Sequence, residues 1–371
     1  METGQRKIRL GMVGGGRDAF IGAIHRIAAR IDGDYELVAG ALSSTPETSR
    51  ESGQLVGLAN DRIYGDFTEM AKAEAARPDG IEAAVIVTPN HLHFPVAKAF
   101  LAQGIHVICD KPLTATMADA SAFRDAVTAS QAKFLLTHNY TGYPMVREAR
   151  RMVSEGKLGE IRLVQMEYIQ DWMAYADPTS KQAVWRIDPE RSGAGGCIGD
   201  IGTHAYNLGL FISGLTPEAL SADLQNFGGH PLDDNAHIMF RFKGGAKGMM
   251  WSSQIAIGNE NGLRIRVIGD DGGLEFHQEN SNQIWFAPKG QPKQLLTRGG
   301  HGYEGSVRIP AGHPEGFLEA FATLYSDFAK VIRGDETATQ LLPDINSGLA
   351  GMTFIEAAVK SSKNNSVWID I

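Results

Sequence analysis

The chain has 371 residues, more than the roughly 250–300 that one hydrophobic core usually serves, so we expect two domains. Its formal net charge of −8, without clustered lysine and arginine, argues against nucleic acid as a partner. Cys109 and Cys197 have no Cys-x-x-Cys partners, which predicts a reducing compartment and no metal site. No run approaches the roughly 18 apolar residues of a membrane span, so we expect a cytoplasmic protein without a membrane partner.

A glycine-rich turn lies between the first predicted strand and the first predicted helix. Three glycines begin at Gly14, directly after the apolar run Lys7–Val13, and a helical pattern then continues to about Ile31. In this context glycines let the backbone approach a nucleotide pyrophosphate, whose negative charge the helix N-terminus faces. A plain turn without a ligand is the alternative interpretation.

The turn departs from the G-x-G-x-x-G spacing of dinucleotide-binding loops. Ala19 occupies the third glycine position, and the next glycine, Gly22, comes three residues late. We therefore expect either the tolerated alanine form or a turn lengthened by about three residues, with Arg17 available to meet a phosphate.

Strands and helices then alternate along the chain. After the first pair, the pattern predicts strands at Glu36–Leu42, Ala83–Thr88, His106–Cys109 and Lys133–Thr137, and helices at Glu47–Leu58, Asp66–Arg77, Leu92–Gln103 and Pro144–Ser154. This alternation predicts an α/β first domain, residues 1–138, built on a doubly wound parallel sheet of the Rossmann type.

In such a sheet the ligand lies at the carboxyl ends of the strands. The candidate cofactor contacts are therefore the glycine turn and the residues that follow the strands: Gly14, Gly15, Gly16, Arg17, Ser43, Ser44, Thr88, Pro89, Asn90, His93, Asp110, Lys111 and Asn139. An acidic residue closing the second strand would bind a ribose 2′-hydroxyl and repel a 2′-phosphate, whereas this chain has serines there. We expect NAD as the cofactor, and the serines leave NADP open.

Lys111 is the most suggestive side chain of the first half. It follows a strand end and precedes Pro112, which fixes the backbone and prevents the strand from continuing. A lysine at this position would point into the cofactor crevice. A solvated surface lysine is the alternative.

The pattern changes after residue 138. Strand-like segments at Glu160–Trp172, Ala219–Phe227, Ala236–Phe242, Gly248–Ile257, Leu263–Gly269 and Gln283–Ala287 are separated by turns, and helices are predicted at Asp200–Ser213, Glu315–Ile332 and Pro343–Lys360. We predict an α+β second domain, residues 139–371, with a mainly antiparallel open sheet. The last helix is expected to pack back on the first domain.

The stretch Gly193–Asn207, written GAGGCIGDIGTHAYN, combines glycines with a possible acid–base pair. Asp200 and His204 are four residues apart, which places them on one face of a helix. A carboxylate beside an imidazole can transfer protons near neutral pH. The alternatives are a helix N-cap for the aspartate and a buried core histidine.

Aromatic residues precede this stretch. Trp172, Tyr175, Trp185 and Arg186 offer ring faces and a guanidinium, which suit a polyhydroxylated ligand through stacking on C–H surfaces and hydrogen bonds to hydroxyls. The same side chains would equally fill a core or a subunit contact.

Four motifs in order, GMVGGGR, TPNHLH, CDKPLT and GAGGCIGDIGTH, resemble the glucose–fructose oxidoreductase, inositol dehydrogenase and rhizopine catabolism family, Gfo/Idh/MocA. The resemblance covers nearly the whole chain. It implies that Lys111, Asp200 and His204 are catalytic. The chain departs from the family in having Asp110 where glutamate is usual and Thr141 where many members carry arginine.

The resemblance implies an NAD(P)-dependent oxidoreductase that acts on a secondary hydroxyl of a pyranose sugar, sugar derivative or cyclitol. The histidine would be the base, the aspartate would orient it, and the lysine would stabilise the developing alkoxide. The expected substrate contacts are Lys111, Tyr140, Trp172, Trp185, Arg186, Asp200 and His204. The run Tyr168–Trp172 with Trp185-Arg186 resembles most the levoglucosan and related pyranoside dehydrogenases. A homo-oligomer, dimer or tetramer, through the C-terminal sheet is also implied.

Three other functions compete with a dehydrogenase. A metal hydrolase would need a third ligand at a diagnostic spacing, which the pair of Asp200 and His204 does not have. A sugar-sensing regulator would share the fold, but retention of both residues with Lys111 argues against it. A glycosidase that oxidises its sugar transiently with NAD would use the same residues.

Overall fold

The computed structural model describes residues 5–17, 19–177, 185–305 and 307–371, which form two compact units. The first unit comprises the chain up to Asn139 together with Leu318–Leu349, and the second comprises Tyr140–Phe317 and Ala350–Ile371. The first unit is therefore discontinuous in sequence. Within the described ranges, no helix has the length and apolar character that crossing a membrane requires.

A parallel sheet of five described strands forms the centre of the first unit, in the order β2-β1-β3-β4-β5. The strands are β1 Ile8–Gly14, β2 Tyr35–Ala41, β3 Ala83–Val87, β4 His106–Cys109 and β5 Phe134–Leu136. Every residue of β3 is buried, as expected for a strand covered on both faces. The order reverses between β1 and β3, where a doubly wound sheet binds its ligand. The predicted Rossmann-type sheet is confirmed.

The helices are α1 Phe20–Ile31, α2 Pro46–Leu55, α3 Phe67–Ala76, α4 His93–Leu101, α5 Met117–Ala129, α6 Pro144–Ser154, α7 Pro189–Ser192, α8 Thr203–Ser213, α9 Phe317–Ile332 and α10 Ile345–Lys363. The sequence analysis did not assign α5, because only Ala120 and Phe123 of this helix are buried and its apolar periodicity is weak. Its N-cap residue, Thr116, accepts a hydrogen bond from the Asp119 amide. A threonine at this position was the sequence feature that could have indicated the start of the helix.

A buried cluster of rings attaches the returning segment to the rest of the first unit. The Tyr325 hydroxyl on α9 lies 2.8 Å from His25 Nδ1 on α1, and the Tyr35 hydroxyl donates to the Tyr325 carbonyl at 3.0 Å. All three side chains are fully buried. At the start of α10, Gly348 approaches Leu113 so closely that an added Cβ would lie 3.0 Å from its side chain.

The second unit is built on a mixed sheet of nine described strands, in the order β13-β12-β11-β10-β6-β9-β8-β7-β14. The strands are β6 Ile161–Ile169, β7 Pro217–Gln225, β8 Asn235–Phe242, β9 Lys247–Ser253, β10 Gly262–Gly269, β11 Gly272–His277, β12 Gln283–Pro288, β13 Gln294–Thr297 and β14 Ile369–Asp370. Only the β6–β9 pair is parallel in these residues, which confirms the predicted mainly antiparallel sheet. The short strands β11, β13 and β14 were not predicted.

Helix α8 lies on the inner face of this sheet. Gly209 allows the close approach, because an added Cβ would meet Met166 Sδ of β6 at 2.5 Å. Met166 and Val164 on the inner face are buried, whereas Leu163 on the outer face is 49% exposed. The sheet thus positions α8, which carries His204, and leaves its other face open.

We expect acid to destabilise the first unit through its buried histidines. Burial lowers the pKa of His25, and burial together with the charge of Lys111 lowers the pKa of His138 to about 3. The unfolded chain takes up these protons near pH 6.5 and the folded chain only at lower pH, so stability falls as the pH drops below about 6.5. His138 should cost about 1 kcal/mol between pH 7.5 and 5.5, measured as the loss in urea unfolding free energy, and His25 should add a loss in the same direction.

The variant His25→Gln should unfold more easily at pH 7.5 and lose less stability on acidification than the unchanged protein. The control His301→Gln replaces an exposed histidine and should leave the pH dependence as it is. Equal pH dependence in all three proteins would contradict the assignment.

Candidate active site

The glycine turn brings bare backbone to the switch point of the parallel sheet. Gly14 and Gly15 have φ values of 75° and 68°, which side chains rarely adopt. A Cβ on Gly14 would lie 2.4 Å from the Val87 carbonyl, and one on Gly16 would lie 2.5 Å from the Leu42 carbonyl. Only glycines fit here, and the resulting cradle suits the close approach of a pyrophosphate.

The glycine turn is longer than the G-x-G-x-x-G spacing allows. Gly22 takes the place of the third glycine of that motif, because it packs against the backbone of the turn. Helix α1 begins at Phe20, and a Cβ on Gly22 would lie 2.3 Å from the Gly15 carbonyl oxygen. The alanine form of the motif is therefore wrong for this chain. Gly22 was absent from the predicted contacts, although its delayed position was the signal.

Two predicted cofactor residues present buried polar atoms of the kind a ligand satisfies. Thr88 Oγ1 and Asn139 Nδ2 are inaccessible and have no hydrogen-bond partner among the described residues. Buried polar groups are normally hydrogen-bonded, so these atoms fit a bound dinucleotide. Both follow strands at the carboxyl edge, as predicted.

The remaining predicted cofactor residues differ in their surroundings. The Arg17 guanidinium is 60% exposed and lies 3.7 Å from Glu51, so in this structure it faces a carboxylate. Ser43 and Ser44 follow β2, and Ser43 Oγ accepts a hydrogen bond from the Thr45 amide at 3.3 Å. Pro89 and Asn90 follow β3, and the asparagine is buried.

Lys111 belongs to a loop that is held by its neighbours. Asp110 Oδ1 accepts hydrogen bonds from the Lys111 amide at 3.0 Å and from Thr137 Oγ1 at 2.9 Å. The peptide bond from Lys111 to Pro112 is cis, and the Pro112 carbonyl lies 2.8 Å from His93 Nδ1. Aspartate at position 110 thus contacts the main chain of the neighbouring lysine.

The predicted acid–base pair lies on a π-helical turn that leads into α8. Ile198–Gly202 forms this turn, and the α-helix begins only at Thr203, so the predicted helix start at Asp200 is wrong. The helix N-cap interpretation is also wrong, because Asp200 Oδ2 instead accepts hydrogen bonds from Arg186 Nε at 3.1 Å and Gln254 Nε2 at 2.9 Å. π-helical turns are rare in proteins, and those that occur are frequently found at functional sites.

A buried carboxylate that sequence reasoning missed holds the glycine segment before the pair. Asp233 accepts hydrogen bonds from the Gly196 amide at 2.6 Å, the Ile198 amide at 2.9 Å and Cys197 Sγ at 3.0 Å. Burial raises the pKa of Asp233, while these donors act in the opposite direction. Asp233 therefore fixes the backbone from which Asp200 projects.

Two tyrosines flank His204, which is 8% exposed. The Tyr140 ring lies 4.8 Å from the imidazole centroid in an edge-on arrangement, and the Tyr168 ring lies at 6.1 Å. Their hydroxyls are 2.6 Å apart, and Tyr168 donates to Asn261 Oδ1 at 2.8 Å. Burial raises the pKa of both phenols, so they remain neutral beside the imidazole.

The predicted aromatic contacts gather around Arg186. Its guanidinium lies 4.5 Å from the centroid of the Trp185 ring and 5.7 Å from that of Trp172. Such stacking orients the planar guanidinium, which also binds Asp200. Tyr175 is 67% exposed. Arg186 thus covers one face of the Trp185 ring, whereas the sequence analysis expected the ring faces to stack on a ligand.

The structure therefore collects the predicted residues in two groups. In the second unit, contacts connect Tyr140 with His204, and Asp200 with Arg186 and the tryptophans. In the first unit, Lys111 lies among the predicted cofactor residues. The described part of the chain contains no group of three or more His, Cys, Asp or Glu side chains that could hold a metal ion.

A glycine cradle at the switch point of a parallel sheet is typical of dinucleotide-binding domains, and an aspartate and a histidine four residues apart in the same chain suit a dinucleotide-dependent oxidoreductase. The model of the oxidoreductase family's NAD-binding Rossmann fold matches residues 8–140, and that of the GFO/IDH/MocA C-terminal domain matches residues 146–275. The chain belongs to the Gfo/Idh/MocA family of oxidoreductases, and its first domain is an NAD-binding Rossmann domain.

Solved structures and a curated relative extend this comparison over the whole chain. An oxidoreductase from Sinorhizobium meliloti is 54% identical, with a TM-score of 0.89 over 98% of this chain and 100% of that one. An inositol dehydrogenase homolog from Azotobacter vinelandii, complexed with NADH and myo-inositol, is 38% identical, with a TM-score of 0.91 over 99% and 98%. Levoglucosan dehydrogenase of Pseudarthrobacter phenanthrenivorans is 28% identical over 99% of this chain and 98% of its own.

We expect Gly22→Ala to weaken cofactor binding. The added Cβ would collide with the Gly15 backbone and displace the cradle, so the Kd for NAD should rise at least about tenfold, measured by calorimetry. Gly351→Ala is the matched control, because its Cβ would meet only Thr203, at 3.9 Å. Unchanged NAD affinity in a folded Gly22→Ala protein would refute the packing role.

Proposed function

We propose that this oxidoreductase is an NAD-dependent dehydrogenase that oxidises a secondary hydroxyl of a cyclitol or pyranose. The observation that carries the proposal is the Asp200–His204 pair, whose carboxylate is oriented by Arg186 and Gln254. The relatives support the same substrate class, since one is solved with myo-inositol and another is a levoglucosan dehydrogenase. Both compounds are rings that carry several secondary hydroxyls.

Each catalytic side chain has a separate task in this proposal. His204 accepts the proton of the substrate hydroxyl, because a neutral imidazole is the usual base near neutral pH. Asp200 orients the imidazole and stabilises the cation that forms. Lys111 is the proposed group that stabilises the negative charge developing on the substrate. Bound NAD supplies the hydride acceptor.

The surroundings of His204 favour a polyhydroxylated substrate. Tyr140, Arg186 and Trp172 add a phenol, a guanidinium and an aromatic face to the same region of the second unit. These groups hydrogen-bond hydroxyls and pack against C–H surfaces. We propose that they select the ring and that His204 selects the reacting hydroxyl.

Reduced nicotinamide should accumulate when the protein is mixed with NAD and a panel of inositols, pyranoses, anhydrosugars and glycosides. We expect Lys111→Ala to lower kcat by about 10²–10³-fold and His204→Ala by about 10²–10⁴-fold, with the Kd for NAD changed little. Exposed Lys72→Ala is the control and should retain full activity.

The panel also separates the competing functions. Release of an aglycone without net NADH would identify the transient-oxidation glycosidase. Normal NAD binding with no turnover of any compound would contradict the dehydrogenase and favour a sugar-sensing regulator.

We also propose that the outer face of the second unit's sheet joins copies of the chain. Leu163 pairs with Ile268 and Met239 pairs with Met249 across neighbouring strands, and each of the four is 41–54% exposed. An apolar belt of this kind on an open sheet is typical of a protein interface. A homodimer or homotetramer would bury it.

Met249→Glu should dissociate such an oligomer, because a charge would have to be buried in the belt. Light scattering after size exclusion should show a smaller mass than for the unchanged protein. Leu55→Glu, at a 69% exposed position on α2, should not change the mass. A monomeric unchanged protein, or an oligomer indifferent to Met249→Glu, would contradict the proposal.

A further inference from the structure

The ring of His93 connects the two loops that follow β3 and β4. Its Nδ1 lies 2.8 Å from the Pro112 carbonyl oxygen, and its Nε2 lies 3.0 Å from the Thr88 carbonyl oxygen. His93 is 1% exposed and begins helix α4. Both ring nitrogens therefore face main-chain acceptors of the first unit.

The two partners compete for the protons of this ring. Carbonyl oxygens only accept hydrogen bonds, and a neutral imidazole carries a single N–H. Burial lowers the pKa of His93, while the charge of Asp110 and the main chain at Pro112, Thr88 and Leu113 act in the opposite direction. The neutral ring can donate to only one carbonyl, and we assign its N–H to Nδ1, donating to Pro112, because that contact is the shorter of the two.

The Pro112 carbonyl belongs to the residue directly after Lys111. On the other side, Asp110 Oδ1 accepts from the Lys111 amide, and the Asp110 amide donates to the Ile86 carbonyl at 3.0 Å. His93 thus supplies the attachment on the C-terminal side of the lysine. A lysine ammonium on a flexible four-carbon stem is placed accurately only if its backbone is fixed.

We propose that His93 is a positioning residue that holds Lys111 through the hydrogen bond from Nδ1 to the Pro112 carbonyl. The inference rests on the proposed catalytic role of Lys111. It gives His93 a different task from the direct cofactor contact expected from the sequence, because both ring nitrogens are directed at the protein's own main chain.

Three substitutions separate the two hydrogen bonds. The amide nitrogen of His93→Asn occupies nearly the place of Nδ1, that of His93→Gln nearly the place of Nε2, and His93→Ala offers neither. We expect kcat to fall about 100-fold in the alanine variant, as for a misplaced catalytic group, and to the same extent in the glutamine variant. The asparagine variant should recover to within about tenfold of the unchanged protein.

The substrate KM and the Kd for NAD should change less than threefold in all three variants, because both ring nitrogens are engaged by the protein's own main chain. His106→Ala is the matched control for His93→Ala, since His106 Nδ1 accepts the Lys133 amide in the same unit, away from the lysine loop. It should lower the melting temperature and leave kcat unchanged.

The inference is overturned if the His93 variants lose only thermal stability, as the control does, or if glutamine restores kcat better than asparagine. It is also overturned if NAD affinity falls together with kcat, because His93 would then be a cofactor contact. Failure of the proposed function looks different: Lys111→Ala itself would retain full turnover.

Discussion

The buried carboxylate of Asp233 is the interaction on which the geometry of the second unit's candidate site depends. Its two oxygens receive three donors from the glycine segment, which has few side chains of its own to fix it. An unpaired charge in this position would be costly, so the segment and the carboxylate stabilise each other. Asp200 projects from the turn fixed in this way, and its carboxylate is oriented by Arg186 and Gln254. The second unit thus uses one buried acid to place a second acid, Asp200, whose catalytic role we propose.

Much of the fold followed from local patterns. β3 was found because five consecutive apolar residues are buried on both faces, and Pro144 gave the start of α6 because proline is favoured there. β11 was missed because only two residues separate it from β10, and the periodicity of a short strand is weak. A helical spacing of four cannot distinguish an α-turn from the π-turn at Asp200, since the difference lies in backbone hydrogen bonds.

Residues of the candidate site could be predicted where they belong to a local sequence motif. They could not be predicted where their role depends on hydrogen-bond partners that are distant in sequence. Lys111 and His204 stood out by residue type and position. Asp233 did not, because its donors lie about 35 residues away in sequence and only the folded sheet brings them together. The same reason hid the contact between Tyr168 and Asn261, whose hydrogen bond spans 93 positions. Sequence thus indicated the proposed catalytic groups, and tertiary structure was needed to identify the groups that hold them.

The discontinuity of the first unit has a consequence for synthesis on the ribosome. The buried imidazole of His25 and the phenol of Tyr35 both need Tyr325, which emerges about 300 residues later. Nascent domains generally fold from the N-terminus as soon as their sequence is available. Here the NAD-binding domain cannot complete its core until Leu318–Leu349, which includes Tyr325, has been translated. The second unit's sheet strands β6–β13 emerge earlier, so we infer that most of that sheet can form cotranslationally before the first unit is finished.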